Sequence, residues 1–255
     1  SAFQKVLEEF INSHENDWRK NALNESKKYL NLGLIDRAAT RQLDWGVDVP
    51  VSGYEDKKIY VWIEAVLGYL TASEQVLKKR GIDFNSFDNL RTYFVHGKDN
   101  ITFHTIIYPA LLQAINPKWQ LPKYIISSEY VNMNDEKMSK SKGNLITVDY
   151  LAENYNKDTV RMYMINNGPE KKDVNFSSTD LVNYHNKFLV GVIGNFINRN
   201  LSFINKKFDG IIKEGVIDSK IKETTINLYN EVGLLIEKGE LRQAIESIIE
   251  YATLG

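Results

Sequence analysis

Arg91-Thr92-Tyr93-Phe94-Val95-His96-Gly97-Lys98-Asp99-Asn100 is the stretch that decides the fold class. Arg91 to Val95 is β-branched and aromatic and reads as a strand. The following glycine permits close backbone approach, and residues 102–115 then carry Phe103, Ile106, Ile107, Ala110, Leu111 and Ala114 at helical spacing. Pro109 within that run predicts a kink or an early break. Strand, glycine turn and helix is the arrangement at the carboxyl edge of a nucleotide-binding sheet. There Gly97 would admit a ligand, and Asp99 would accept hydrogen bonds from ribose hydroxyls. His104, one helical turn after Asn100, would point back toward the same opening. Taken singly, these residues read equally well as a helix cap and a structural histidine.

Working outward, Lys58-Ile59-Tyr60-Val61-Trp62-Ile63-Glu64-Ala65 reads as a strand buried on both faces, ending at Glu64. Trp62, Glu64, Ala65 and Tyr69 are then candidate pocket residues at the sheet edge, with plain core packing the other reading of Trp62. A helix over 71–80 ends at Gly81, and Tyr124-Ile125-Ile126-Ser127 supplies a third strand. Strands alternating with helices from 58 to 127 predict an α/β unit with a parallel sheet.

Before this unit, apolar residues at 3, 6, 7, 10 and 11 predict an amphipathic helix, and 24–32 a second one. Trp45, in a turn-rich extended segment, reads as a core anchor, and Arg41 as either a site or a surface charge. After the unit, Tyr130-Val131-Asn132-Met133 enters a turn at Asn134-Asp135 and leads to Lys137-Met138-Ser139-Lys140-Ser141-Lys142-Gly143-Asn144. Three lysines, two serines and a glycine suit a phosphate-holding loop, since ammonium groups and hydroxyls neutralise and donate to phosphate oxygens. A solvated turn is the plainer reading, but Met138 between the charges argues for a positioned loop. Two short helices follow at 148–155 and 159–167, with Thr147 and Asp158 as caps. Residues 180–206 predict one long helix closed by Phe208-Asp209-Gly210, and 221–236 and 241–252 complete a bundle. Asn195 and Arg199 lie four apart on one face of the long helix, a multidonor pair able to meet base edges in single-stranded RNA.

The bulk numbers narrow the function classes. A chain of 255 residues, 43% hydrophobic and 25% charged, has material for two or three structural units. The net charge of −1 supplies no basic field, so any RNA contact must be local. Zero cysteines exclude disulfides and thiolate metal ligands, and His14, His96, His104 and His185 lack metal-ligand spacing. No apolar run reaches the roughly 20 residues needed to cross a bilayer. An N-terminus that starts at Ser1 rather than at a methionine, and an end without a closing signal, predict an excised piece of a longer chain.

Lys137 to Ser141 spells KMSKS and resembles the second signature of class I aminoacyl-tRNA synthetases. Together with Trp45-Gly46-Val47-Asp48-Val49-Pro50, residues 60–69, Gly97-Lys98-Asp99-Asn100-Ile101-Thr102-Phe103-His104 and Asn195-Phe196-Ile197-Asn198-Arg199-Asn200, it resembles the methionyl-tRNA synthetase family. The resemblance implies the C-terminal half of a Rossmann-like parallel-sheet nucleotide-binding domain followed by an α-helical anticodon-binding bundle. Its parts would be a helical segment over 1–45, the second half of the catalytic domain over 46–130, the KMSKS loop and stem-contact region over 131–175, and the truncated anticodon-binding domain over 176–255.

By the same resemblance Trp62, Ala65, Tyr69 and His104 would line the methionine pocket. Gly97, Asp99, Lys137, Ser139, Lys140 and Ser141 would bind ATP, with its Mg2+. Lys137, Lys140 and Arg41 would assist catalysis, and Asn195 and Arg199 would read the anticodon of the methionine tRNA. Glu64, Val66 and Asp48 depart from the family's usual residues. The family's HIGH signature and zinc-bearing insertion do not occur in these 255 residues, so the chain is expected not to activate methionine alone. A cytoplasmic location is implied. The alternatives are a class I nucleotidylyltransferase that needs no tRNA and a non-catalytic RNA-binding module.

Overall fold

A computed structural model describes residues 2–83, 91–212 and 214–254. The chain is α/β and divides into two compact units, Ser1–Ser128 and Glu129–Gly255.

In the first unit two helices, α1 (Gln4–Asn12) and α2 (Lys20–Asn31), precede a small ribbon in which β1 (Thr40–Arg41) pairs antiparallel with β2 (Lys58–Ile59). Helix α3 (Val61–Lys79) follows directly. Strand β3 (Tyr93–Gly97) then pairs in parallel with β4 (Tyr124–Ser128), in register from Tyr93↔Tyr124 to Gly97↔Ser128. Between them lie a π-helical turn, Phe103–Ile107, and α4 (Tyr108–Ile115). The core collects Leu7, Phe10 and Ile11 of α1, Ala22 and Leu30 of α2, Val66 of α3, Tyr108 and Leu112 of α4, and Phe94 and Ile125 of the two strands. Trp18 locks the α1–α2 connection to this core, edge-on to Phe10 with its indole N–H donating to the Lys123 carbonyl at 3.0 Å. Deeper in, the Ser26 hydroxyl lies 2.8 Å from Thr105 Oγ1 between α2 and the π turn, and each hydroxyl also reaches the carbonyl four residues back, of Ala22 at 2.6 Å and of Ile101 at 3.0 Å.

The expected strand over 58–65 is a correction. Only Lys58 and Ile59 pair; Tyr60 is the extended cap residue, and α3 begins at Val61 and runs through the helix expected at 71–80. A short apolar run fits a buried helix as well as a strand. Here Ile63, Val66, Leu70 and Leu77 fall at helical spacing, and burying Val66 and Leu77 settles the choice. Trp45 is a second correction, being 89% exposed rather than a core anchor. The break expected from Pro109 appears as the π turn: proline sits at the start of α4, where its missing N–H costs least, and the helix is wider before it.

The second unit opens with β5 (Val131–Met133), flanked by antiparallel β6 (Glu136–Lys137) and parallel β7 (Val174–Asn175). Helices α5 (Val148–Asn154) and α6 (Lys157–Asn167) carry caps, but Asn156 caps α6 where Asp158 was expected; its Oδ1 accepts from the amides of Asp158 and Thr159. The expected long helix is three pieces: α7 (Ser178–Tyr184), a π segment, His185–Gly194, and α8 (Asn195–Phe208). The glycines explain the widening. A Cβ on Gly191 would stand 3.0 Å from the Asn186 carbonyl oxygen, and one on Gly194 2.9 Å from that of Leu189, so the carbonyl five residues back crowds both positions, Gly194 the more tightly. Asp209 and Gly210 end α8 with positive φ. Helices α9 (Ser219–Glu237) and α10 (Leu241–Leu254) pack on each other, and α10 also packs on α6 and the π segment.

Candidate active site

In the first unit, α3 positions the expected pocket residues in a way the strand reading could not. Residues 62 and 65 would point to opposite faces of a strand, whereas spacings of three and four put Trp62, Ala65 and Tyr69 on one face of α3. Trp62 stacks on Phe103 of the π turn, centroids 4.1 Å apart and planes 18° apart. The Tyr69 hydroxyl lies 2.9 Å from His104 Nε2, and His104 Nδ1 lies 2.8 Å from the Asn100 carbonyl oxygen. A carbonyl only accepts, so Nδ1 carries the proton and Nε2 accepts from Tyr69. Burial depresses the His104 pKa, with the Asn100 carbonyl opposing, which keeps the ring neutral.

A second imidazole, absent from the expected set, joins this group. His96 stacks on His104 at 4.3 Å and 16°, with its Nδ1 3.0 Å from the Gly97 carbonyl oxygen. Burial lowers its pKa to about 4; the Gly97 carbonyl raises it and His104 lowers it further. Its Nε2 is buried with no hydrogen-bond partner among the described residues. Sequence pattern carried one weak sign of it, since His96 immediately precedes the glycine turn. The result is an aromatic surface of two neutral imidazoles, a tyrosine, a tryptophan and a phenylalanine, suited to a polarisable side chain. Gly97 ends β3 and a Cβ there would meet nothing within 4 Å, while Asp99 follows in an exposed 3₁₀ turn. Arg41 lies on β1 with its guanidinium 4.0 Å over the Tyr60 ring, donating to the carbonyls of Ala38 and Thr40.

In the second unit the lysine loop is built, not floppy. Asn134 and Asp135, both at positive φ, make the tight hairpin turn between β5 and β6. Met138 packs against the core around Met162 and Leu181. Asn144 staples the loop: its Oδ1 accepts from the Ser139 amide at 2.9 Å and its Nδ2 donates to the Lys137 carbonyl at 3.2 Å. Gly143 closes the 3₁₀ turn Lys140–Lys142 in the left-handed region, φ 69°. Lys137 sits 4.5 Å over the Tyr130 ring, and the Ser139 and Ser141 hydroxyls are 2.9 Å apart. Lys142 pairs with Glu136 at 3.3 Å in full solvent, which is worth little, while Lys140 is exposed with no acidic partner among the described residues. The loop thus presents two ammonium groups and two hydroxyls on a fixed backbone. Farther along, Asn195 and Arg199 are exposed on one face of α8, and the Asn195 side chain donates to the Gly191 carbonyl at 3.1 Å.

Residues 1–201 match the sequence profile of the class I tRNA synthetases (M). The chain belongs to that family. It is similar to the methionine--tRNA ligase of Streptococcus pneumoniae (strain CGSP14), 46% identical over 255 residues, covering 98% of this chain and 47% of that protein. It is likewise similar to methionine--tRNA ligase 1 of Alkaliphilus oremlandii, 43% identical over 253 residues, again covering 98% of this chain and 47% of the other. Among solved structures, Mycobacterium tuberculosis methionyl-tRNA synthetase in complex with methionyl-adenylate matches with a TM-score of 0.85 at 27% identity, over 99% of this chain and 50% of that one. The chain therefore spans about half the length of the relatives it matches.

Proposed function

We propose that this chain supplies one half of a methionine-activating site and the tRNA-reading module of a methionyl-tRNA synthetase. The observation that carries the reading is the stapled loop, with Lys137, Ser139, Lys140 and Ser141 held on one fixed turn. Methionine would lie against Trp62, Ala65, Tyr69 and His104, its thioether on the aromatic rings. Gly97 and Asp99 would meet the adenosine. The methionine carboxylate then attacks the α-phosphorus of ATP; the bond to the bridging oxygen breaks, and pyrophosphate leaves with its electron pair. Lys137 and Lys140 would stabilise the charge that collects on the departing pyrophosphate, with the two serine hydroxyls donating beside them. Arg41, tied to its neighbouring carbonyls, would hold the rim of the site. Magnesium would enter with ATP as part of the substrate. No described helix is long and apolar enough to cross a membrane, and a cytoplasmic place in translation fits the reading.

Methionine-dependent ATP–pyrophosphate exchange tests it in a synthetase of the relatives' full length carrying this chain. Exchange is expected with methionine and not with leucine, isoleucine or valine; selectivity for one of those instead would overturn the reading. The 255-residue chain alone is expected to give no exchange. Tyr69→Phe should raise the methionine KM by roughly tenfold, because it leaves His104 Nε2 without its donor, while kcat changes far less. An unchanged KM would remove Tyr69 from the pocket.

A further inference from the structure

The turn that follows β3 is held at both ends by imidazoles. At its start His96 Nδ1 lies 3.0 Å from the Gly97 carbonyl oxygen, and at its finish His104 Nδ1 lies 2.8 Å from that of Asn100. A carbonyl only accepts, so each ring donates from Nδ1. The two rings stack on each other, 4.3 Å between centroids and 16° between planes. Burial keeps both neutral at pH 7, so the stack carries no charge repulsion. The two carbonyls and the two rings thus close a bracket around the 3₁₀ turn Lys98–Asn100, with Asp99 at its centre. The strand fixes the side on which His96 stands. Phe94 and His96 alternate onto one face of β3, and the Phe94 ring also meets His104, at 5.2 Å. His96 Nε2 makes no hydrogen bond among the described residues, which leaves Nδ1 and the ring face as the parts of the side chain that act. From its other end His104 accepts, at Nε2, from the Tyr69 hydroxyl.

We propose that His96 is a positioning residue that couples the binding of methionine to that of ATP, by tying the His104 ring to the turn that begins at Gly97. The coupling presupposes methionine on His104 and adenosine at Gly97 and Asp99, as proposed above. Methionine seated against Tyr69 and His104 stops the His104 ring from turning, and the stack passes that restraint to His96. His96 in turn holds the Gly97 carbonyl, which sets Gly97 and Asp99 for the nucleotide. The His104–Asn100 bond reaches only the far end of the turn, so His96 carries the restraint to the near end. Whichever ligand comes second finds the bracket already ordered and binds more tightly, and by linkage the gain is the same in either order.

Methionine dissociation constants, measured by calorimetry on a synthetase of the relatives' full length carrying this chain, test the coupling. They are taken with and without saturating α,β-methylene-ATP and magnesium, an analogue that cannot release pyrophosphate. In the parent the analogue should tighten methionine binding by about tenfold. Two substitutions each break one link. His96→Phe keeps the stacking face and loses the donor to Gly97, whereas His96→Asn keeps a donor and loses the face. Each should reduce the ratio of the two constants to about twofold or less. Only the ratio is read, so a packing defect that weakens methionine alike with and without the analogue cancels. Where either variant unfolds, His96→Tyr and His96→Thr break the same links. A parental ratio in either variant would overturn the role of His96, as would a parent that binds methionine with no gain from the analogue. A parent without methionine-dependent exchange would instead overturn the function proposed above, and the coupling with it.

Discussion

Replacing Lys137 and Lys140 together by alanine, in a synthetase of full family length carrying this chain, is expected to lower kcat for methionine-dependent ATP–pyrophosphate exchange by about a thousandfold or more. Donors aimed at charge that develops only in the transition state cost roughly 10²–10³ in kcat when one is removed. The KM for methionine should move little, since its proposed contacts lie on α3 and the π turn of the first unit. The two lysines differ in what else they lose. Lys140 is exposed, with no acidic partner among the described residues, so Lys140→Ala removes charge and leaves the loop intact. Lys137 also rests on the Tyr130 ring, an attraction worth about 0.5–1 kcal/mol at such a site. Its backbone carbonyl still accepts from Asn144 after substitution, so the staple survives. The effects of the two are expected to be less than additive, because in the proposed reaction both would act on one triphosphate. Exchange within threefold of the parent would remove the loop from the chemistry, and with it the main support for an activating enzyme.

The loop was legible because its signals were local. Asn134-Asp135 announced a tight turn and Met138 an apolar anchor, and each appears in that role. Strands β3 and β4 were legible for the same reason, as β-rich runs bounded by turn residues. Residues 58–65 were not. Their local composition favours a strand, but the core offered a place for Val66 and Leu70 on one helical face, and that contact is non-local. The same error hid part of the candidate pocket, since Trp62, Ala65 and Tyr69 share a face only on a helix. His96 escaped because its role depends on stacking with a ring eight residues away, across the turn into the π segment. The π segments escaped too: Gly191 and Gly194 read as tolerated helical glycines until the carbonyls of Asn186 and Leu189 are seen against them.

Substituting both Asn195 and Arg199 by alanine should weaken binding of the methionine tRNA by about a hundredfold while leaving methionine-dependent exchange unchanged. A side chain that pairs with a base edge contributes roughly 1–3 kcal/mol of discrimination, and each 1.4 kcal/mol is tenfold. Neither substitution threatens the helix. Both positions are exposed on α8, the Asn195 bond to the Gly191 carbonyl is solvent-facing, and alanine is the better helix former. The chain's net charge of −1 makes the double substitution informative, because there is no broad basic field to mask a lost local contact. The readout that isolates base reading is a comparison of two tRNAs. The parent should prefer the methionine tRNA over the same molecule with an altered anticodon, and the variant should bind both alike. A merely electrostatic role for Arg199 would instead weaken both tRNAs equally and preserve the preference. Retained affinity and retained preference in the variant would place anticodon reading elsewhere and leave the exposed face of α8 a solvated surface.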